Sequence, residues 1–255
     1  MNAYSYFAQY YDLLTKNVEY GGRARYFHQI ISRHLSPPAI LLDLACGTGS
    51  LSLEFATLGY EVIGVDVSPE MLGVATEKSG AAGGGILFLC QDAARLDLYG
   101  TIDVCVCALD SINHFTGVKQ LEQVFSRVAL FTRPGGLFLF DVNTPYKHRH
   151  ILADSCFVYD LDEVYCVWQN SYRPQNDTVD IALDFFMPTG GGAYLRREER
   201  FSERIFSQEL LEGLLRQCGF EVLGLWGDDS FAPPQPDAQR LIYAARKIAQ
   251  GKEHE

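Results

Sequence analysis

Nowhere does the chain approach the run of about 20 apolar residues that a bilayer-spanning helix requires. The opening residues, Met1 to Phe7, also lack the basic and apolar regions of a secretory leader, so a cytoplasmic protein without membrane contact is expected. Positive charge is scarce as well: 21 Lys and Arg face 32 Asp and Glu, for a formal charge of -11 and a pI near 5.0. Binding along a phosphate backbone usually needs the opposite balance. A small-molecule substrate is therefore favoured, and nucleic acid is left with two local basic clusters, Lys147-His148-Arg149-His150 and Arg196-Arg197. Seven cysteines, an odd count, offer no disulfide framework; most of them (Cys46, Cys90, Cys105, Cys107, Cys218) sit in apolar runs, as buried thiols in a reducing compartment do. Cys105 and Cys107 would share one face of a strand, but two further ligands at suitable spacing are missing and no metal is expected.

What is present is concentrated between Leu41 and Leu53, where an apolar strand containing Asp43 runs into a turn with Gly47 and Gly49 and then a helix start. Glycine lets a backbone turn sharply and come close to a ligand, and the helix start presents free N–H groups. A dinucleotide-binding unit would carry a third glycine where this chain has Ser52. It would also set a pyrophosphate near Asp43, a like charge. Both departures oppose an NAD-dependent dehydrogenase and favour a cationic ligand.

Asp43-Leu44-Ala45-Cys46-Gly47-Thr48-Gly49 resembles motif I of the class I S-adenosyl-L-methionine (SAM)-dependent methyltransferases, Asp/Glu-x-x-x-Gly-x-Gly. Gly64 to Leu72 is similar to the family's second motif, Cys90-Gln91-Asp92-Ala93 to its third, and Pro134-Gly135-Gly136 precedes a further strand in the same order. The whole chain is most similar to bacterial small-molecule methyltransferases with an inserted β lid. The resemblance implies a doubly wound α/β fold with a seven-stranded, mostly parallel sheet, SAM as cofactor, and methyl transfer to the nitrogen or oxygen of a small molecule. An RNA methyltransferase (tRNA or rRNA) and a non-catalytic SAM-binding protein are the alternatives. No Asn-Pro-Pro-Tyr segment follows the fourth strand, which weakens a base-flipping reading.

The resemblance also implies roles for single residues. Asp43 would meet the ammonium of the methionine part, with Ala45, Gly47 and Gly49 giving backbone access. Asp66, 17 residues beyond Gly49, is near the spacing of about 20 at which an acid bonds ribose hydroxyls. Val67 and Met71 would line the adenine pocket, Asp92 and Ala93 its edge, and the aromatic segment Tyr4, Tyr6, Phe7, Tyr10, Tyr11 would either pack as a core helix or fold over the ligand with Tyr10 or Tyr11 touching it. Leu109 to Phe115 would border the transferred methyl, making Asp110, Asn113 and His114 candidates for orienting the substrate or taking its proton. Structural roles stay open beside these: Asp43 bracing the glycine loop, Asp92 capping a turn, Met71 filling core, His114 standing solvated.

Periodicity predicts strands over Ile40 to Ala45, Glu61 to Val65, Ile86 to Cys90, Ile102 to Ala108 and Leu137 to Val142, with helices over Ser50 to Leu58, Pro69 to Lys78 and Val118 to Thr132. Alternating β-type runs follow at Phe157 to Tyr159, Glu163 to Ser171, Thr178 to Phe186 and Ala193 to Phe206. A helix over Gln208 to Cys218 and strands over Phe220 to Trp226 and Arg240 to Arg246 resume the frame. The division expected is a SAM-binding domain of residues 1–145 and 203–255, with a helical cap over 1–37, interrupted by an antiparallel substrate lid over 146–202. Tyr159, Tyr165, Trp168, Tyr172 and Phe186 would cover the substrate or form the lid's own core. A monomer or weak homodimer is expected.

Overall fold

The computed structural model describes residues 7–36, 39–227 and 230–249; Tyr4 and Tyr6 lie outside them. Helices α1 (Phe7–Leu14) and α2 (Tyr20–Ile31) lead into an alternation of β1 (Ile40–Leu44), α3 (Ser50–Thr57), β2 (Glu61–Asp66), α4 (Pro69–Ala81), β3 (Leu87–Cys90), β4 (Ile102–Cys107), α5 (Val118–Phe131) and β5 (Thr132–Asn143). The start of α4 shows why these boundaries fall where they do. Ser68 Oγ accepts from the Met71 N–H at 3.2 Å, and Pro69 occupies the first turn, where a missing N–H removes no bond.

After β5 comes a short helical segment, Lys147–Leu152, and then four strands, β6 (Cys156–Asp160), β7 (Tyr165–Arg173), β8 (Thr178–Gly190) and β9 (Ala193–Arg204). They form a separate antiparallel sheet in the order β6-β7-β8-β9. The frame resumes with α6 (Gln208–Gln217), β10 (Phe220–Gly227) and β11 (Arg240–Lys247). The main sheet has seven strands in the order β10-β11-β5-β4-β1-β2-β3, with β11 antiparallel to both neighbours. Two boundaries differ from the periodicity by more than three residues. β5 begins at Thr132, which already pairs with Ile102, and β8 continues past Phe186 because Met187 and Pro188 pair with Leu195 and Tyr194. Among the described residues no helix is long and apolar enough to cross a membrane.

Apolar cores lie on both faces of the main sheet, one under α5 and α6 and the other under α2 and α3. A third joins α1, Met71 of α4 and the inward residues Val179, Ile181, Leu183 and Phe185 of β8. That third core is what seats the lid on the frame. Because the chain leaves β1 toward β2 on one side and β4 lies on the other, the carboxyl ends of β1 and β4 flank a crevice of the kind in which open α/β sheets bind ligands.

Candidate active site

Two cavities open along this crevice. The larger, of about 420 Å³, is walled by Asp66, Val67, Asp92, Ala93 and His114, and on its far side by Phe201 and Ser202 of β9. The smaller, of about 40 Å³, lies against Tyr11, Asp43, Gly47, Ala108 and Leu109. Ala45 borders both. Its backbone is left-handed, with φ 59°, as is that of Leu109 (58°) and Asp110 (54°). Such conformations cost non-glycine residues on the order of 1–3 kcal/mol and gather at functional sites.

The glycine turn owes its shape to specific contacts. Gly49 has φ 71°, and a Cβ there would sit 2.9 Å from that of Ala75. Gly47 has φ 54°, and a Cβ there would meet nothing within 4 Å, because the position faces the smaller cavity. Asp66 braces the turn by accepting from Gly47 N–H and from Ser68 N–H, each at 2.9 Å, while lining the larger cavity. Burial raises its carboxyl above the ordinary value, and those two N–H groups partly offset the rise.

Asp43 is fully enclosed at the end of β1 and accepts from Ser52 Oγ at 2.5 Å. The residue standing where a dinucleotide fold keeps its third glycine is thus the partner of the motif's acid. Burial pushes Asp43 up to about 7; the Ser52 bond pulls it down and the charge of Asp66 pushes it up. An enclosed carboxyl of this kind is suited to a cationic ligand, whose charge replaces the lost hydration.

Helix α1 is fastened across the turn. Asp12 accepts from Thr48 Oγ1 at 2.7 Å, from Ser50 Oγ at 3.1 Å and from Lys78 Nζ at 2.7 Å. At the other end, the Phe7 N–H donates to Glu199 of β9 at 2.8 Å. Tyr11, between these ties, is thereby held at the smaller cavity.

Beyond β4 the segment Ser111–His114 forms one helical turn. Asp110 bonds Arg240 Nη2 at 2.8 Å, and Arg240 also pairs with buried Asp141 at the end of β5. Enclosure works against ionisation of Asp110, but the Arg240 guanidinium, with Lys147 behind it, holds its carboxyl well below the usual carboxylate range. Held this way, Asp110 is a fixed anion and a poor proton acceptor. Asn113 is buried with both amide atoms committed: Nδ2 donates to Arg204 O and Oδ1 accepts from Asn143 N–H, each at 2.8 Å. It ties the loop to β5 and β9. His114 borders the larger cavity, its ring packed on Phe201 at 5.3 Å between centroids.

Several expectations shift here. Met71 is buried in the α1–lid core and borders neither cavity. Asp92 borders the larger cavity and at the same time caps a turn, accepting from Ala94 N–H at 2.9 Å. Of the lid aromatics, Tyr159, Trp168 and Tyr172 pack against the lid's own core, while Tyr165 and Phe186 pair with each other on the adjoining strands β7 and β8. Phe201 is the lid aromatic at the cavity. Glu203, buried beside His114 and Asp110, and His148, buried against Glu203, are functional candidates that the sequence reading missed.

A sheet of this order, with an acid and a glycine turn closing its central strand, an acid closing the next, and one cavity across both, defines a class I SAM-dependent methyltransferase. A family model described as a methyltransferase domain matches residues 41–136. YqeM of Bacillus subtilis (strain 168), named as a methyltransferase, is 32% identical over 245 residues, covering 96% of this chain and 97% of its own. A dTDP-3-amino-3,6-dideoxy-alpha-D-glucopyranose N,N-dimethyltransferase of Streptomyces fradiae is 28% identical over 136 residues, 52% of each chain. The crystal structure of a SAM-dependent methyltransferase from Clostridium acetobutylicum ATCC 824 superposes with a TM-score of 0.86 at 29% identity, covering 97% of this chain and 100% of that one. The chain belongs to the SAM-dependent methyltransferases, and SAM is its cofactor. The site fits it: open space at Gly47, linked cavities at Ala45 and an enclosed carboxyl at Asp43 match a ligand with an adenosine end and a cationic amino-acid end.

Proposed function

We propose that this enzyme methylates the nitrogen or oxygen of a small molecule that enters beneath the β6–β9 sheet and reaches the methyl between Asp110, His114 and Glu203. The observation that carries this reading is the shared wall of the larger cavity, where Phe201 and Ser202 from the lid stand opposite Asp66, Asp92 and His114 from the frame. In this reading the substrate lid runs from residue 146 to the end of β9 at Arg204, two residues past the expected boundary at 202, and the rest acts as the SAM-binding domain. Asp66 takes the ribose hydroxyls, Asp92 and Ala93 the adenine edge with Val67 beside it, and Asp43 the methionine ammonium. Tyr11, Ala45, Gly47, Gly49 and Leu109 line the path between the cavities. SAM supplies a methyl group on a positively charged sulfur. The chain's contribution is alignment of the two reactants, which can lower a bimolecular barrier substantially.

The basic clusters support a small acceptor over RNA. Arg149 is paired with Asp177, Arg196 with Asp184, Arg200 with Glu198 and Arg173 with Asp180, so the lid offers neutralised pairs where a phosphate backbone would need unpaired charge. His148 is buried. The S. fradiae relative, by its name, methylates an amine on a nucleotide sugar, which is the kind of acceptor this reading anticipates. Transfer of labelled methyl from SAM to a metabolite panel, run beside bulk tRNA and rRNA, tests it. Labelled small metabolites support the proposal; label only in RNA, lost as salt is raised, overturns it.

A further inference from the structure

Two buried ionisable side chains stand beside the acceptor region without a part in holding the cofactor. Glu203 belongs to the lid strand β9, and His148 to the helical segment at the lid's root. Their hydrogen-bond roles can be worked out from their neighbours. Lys147 Nζ, which only donates, bonds Asn143 Oδ1 at 2.9 Å, so that amide turns Nδ2 toward Glu203 Oε2 at 3.1 Å. His148 Nε2 meets the same Oε2 at 2.9 Å, and His148 Nδ1 lies 3.1 Å from the Thr144 carbonyl. A carbonyl only accepts, so Nδ1 donates to Thr144, and one proton lies between Nε2 and Oε2. Thr144 is itself fixed, its hydroxyl donating to Ala238 O at 2.7 Å. Glu203 is therefore anchored through Oε2 by Asn143 and His148.

The other oxygen, Oε1, faces His114 Nε2 at 3.9 Å. Phe201, two positions earlier on the same strand and on the same face, packs on the His114 ring. One lid strand thus supplies both a wall for that ring and a carboxyl oxygen facing one of its nitrogens. One ligand-type atom each of Asp110, His114 and Glu203 lies within 4.8 Å of the other two, but a metal there would meet Arg240, already bonded to Asp110, and Lys147 nearby.

We propose that Glu203 is a positioning residue for methyl transfer, fixing His114 with its proton on Nε2 so that Nδ1 accepts the proton of the methyl acceptor. An N–H directed at a carboxylate leaves the lone pair on the opposite nitrogen, and the same carboxylate stabilises the imidazolium that forms. In balance, the acceptor heteroatom gains the methyl carbon, the C–S bonding pair leaves with sulfur as a neutral thioether, and the acceptor's proton passes to His114. The gap of 3.9 Å exceeds a hydrogen bond, but such contacts tighten on ligand binding. Since Glu203 arrives on the lid, the proton acceptor is set only when the lid is seated. This inference rests on the small-molecule reading above.

Nitrogen NMR of histidine-labelled protein with S-adenosylhomocysteine present tests it without knowledge of the acceptor. His114 is expected to hold its proton on Nε2 in the wild type and to lose that preference in Glu203→Gln. His148→Gln, which keeps a donor toward Oε2, is expected to retain it. A wild-type His114 protonated on Nδ1, or a tautomer unchanged in a Glu203→Gln variant that still binds S-adenosylhomocysteine, overturns the proposal. Should Glu203→Gln not fold, the wild-type tautomer alone decides. Failure of the small-molecule reading would show separately, in the labelled-methyl panel.

Discussion

Ser52 gives its hydroxyl proton to the enclosed carboxyl of Asp43 at 2.5 Å, joining the first turn of α3 to the end of β1 directly beneath the cofactor turn. Replacing Ser52 by Ala leaves that carboxyl without its donor, a loss of about 1–3 kcal/mol in a buried setting. Urea denaturation of Ser52→Ala is expected to show the larger loss at pH 8, where Asp43 is ionised and the bond charge-assisted, and the smaller at pH 6.

The elevated Asp43 carboxyl gives stability and cofactor affinity opposite dependences on pH. Its folded value, about 7, lies above the ordinary 3.8, so its contribution to stability is complete below the latter and is lost as pH rises through 7. A cation at Asp43 requires the ionised form, so binding must release a proton below that value. The dissociation constant of SAM is expected to rise about tenfold between pH 8 and pH 6, and Asp43→Asn to flatten this dependence while binding more weakly throughout. Calorimetric titration at the two pH values measures both; an equal slope in the variant would contradict the assignment.

Two neighbouring glycines should separate binding from folding. At Gly49 an added methyl meets Ala75 at 2.9 Å, so Gly49→Ala is expected to lower thermal stability by several degrees through overpacking and backbone strain. At Gly47 the methyl meets no protein atom, so Gly47→Ala should lose about 1 kcal/mol to backbone strain while weakening SAM binding the more strongly of the two. Thermal denaturation and calorimetry on both variants read the contrast.

Lys78, Asp12, Thr48 and Ser50 pin α1 across the cofactor path. Lys78→Met is expected to speed release of S-adenosylhomocysteine severalfold in stopped-flow measurements with little change in melting temperature, because the ion pair is partly exposed and contributes about 1 kcal/mol or less.

The cofactor half of the site was legible because its signals are local: a strand, a turn and an acid each lie within a few residues of Gly47, and their resemblance to the family's motif implies the cofactor. Even there, the sequence could not show that Ser52, noted only as a missing glycine, is the partner of Asp43. The acceptor half depends on the lid folding back onto the frame, which brings Glu203 to His114 from a distant part of the chain. His148 read as one of four basic residues and proved buried. A signal did exist: with β8 and β9 paired, Glu199, Phe201 and Glu203 fall opposite Leu183, Ile181 and Val179, so two acids occupy the inward face of an apolar sheet. Loop position alone does not reveal that Asn113 is buried and bonded through both amide atoms to backbone partners on β5 and β9.

The most direct test of this account is a crystal structure with S-adenosylhomocysteine bound. It predicts ribose hydroxyls on Asp66, the amino group toward Asp43, and the sulfur near Ala45 facing the space between Asp110, His114 and Glu203 under the lid. A sulfur turned away from that space, with the lid side chains apart from it, would contradict the account.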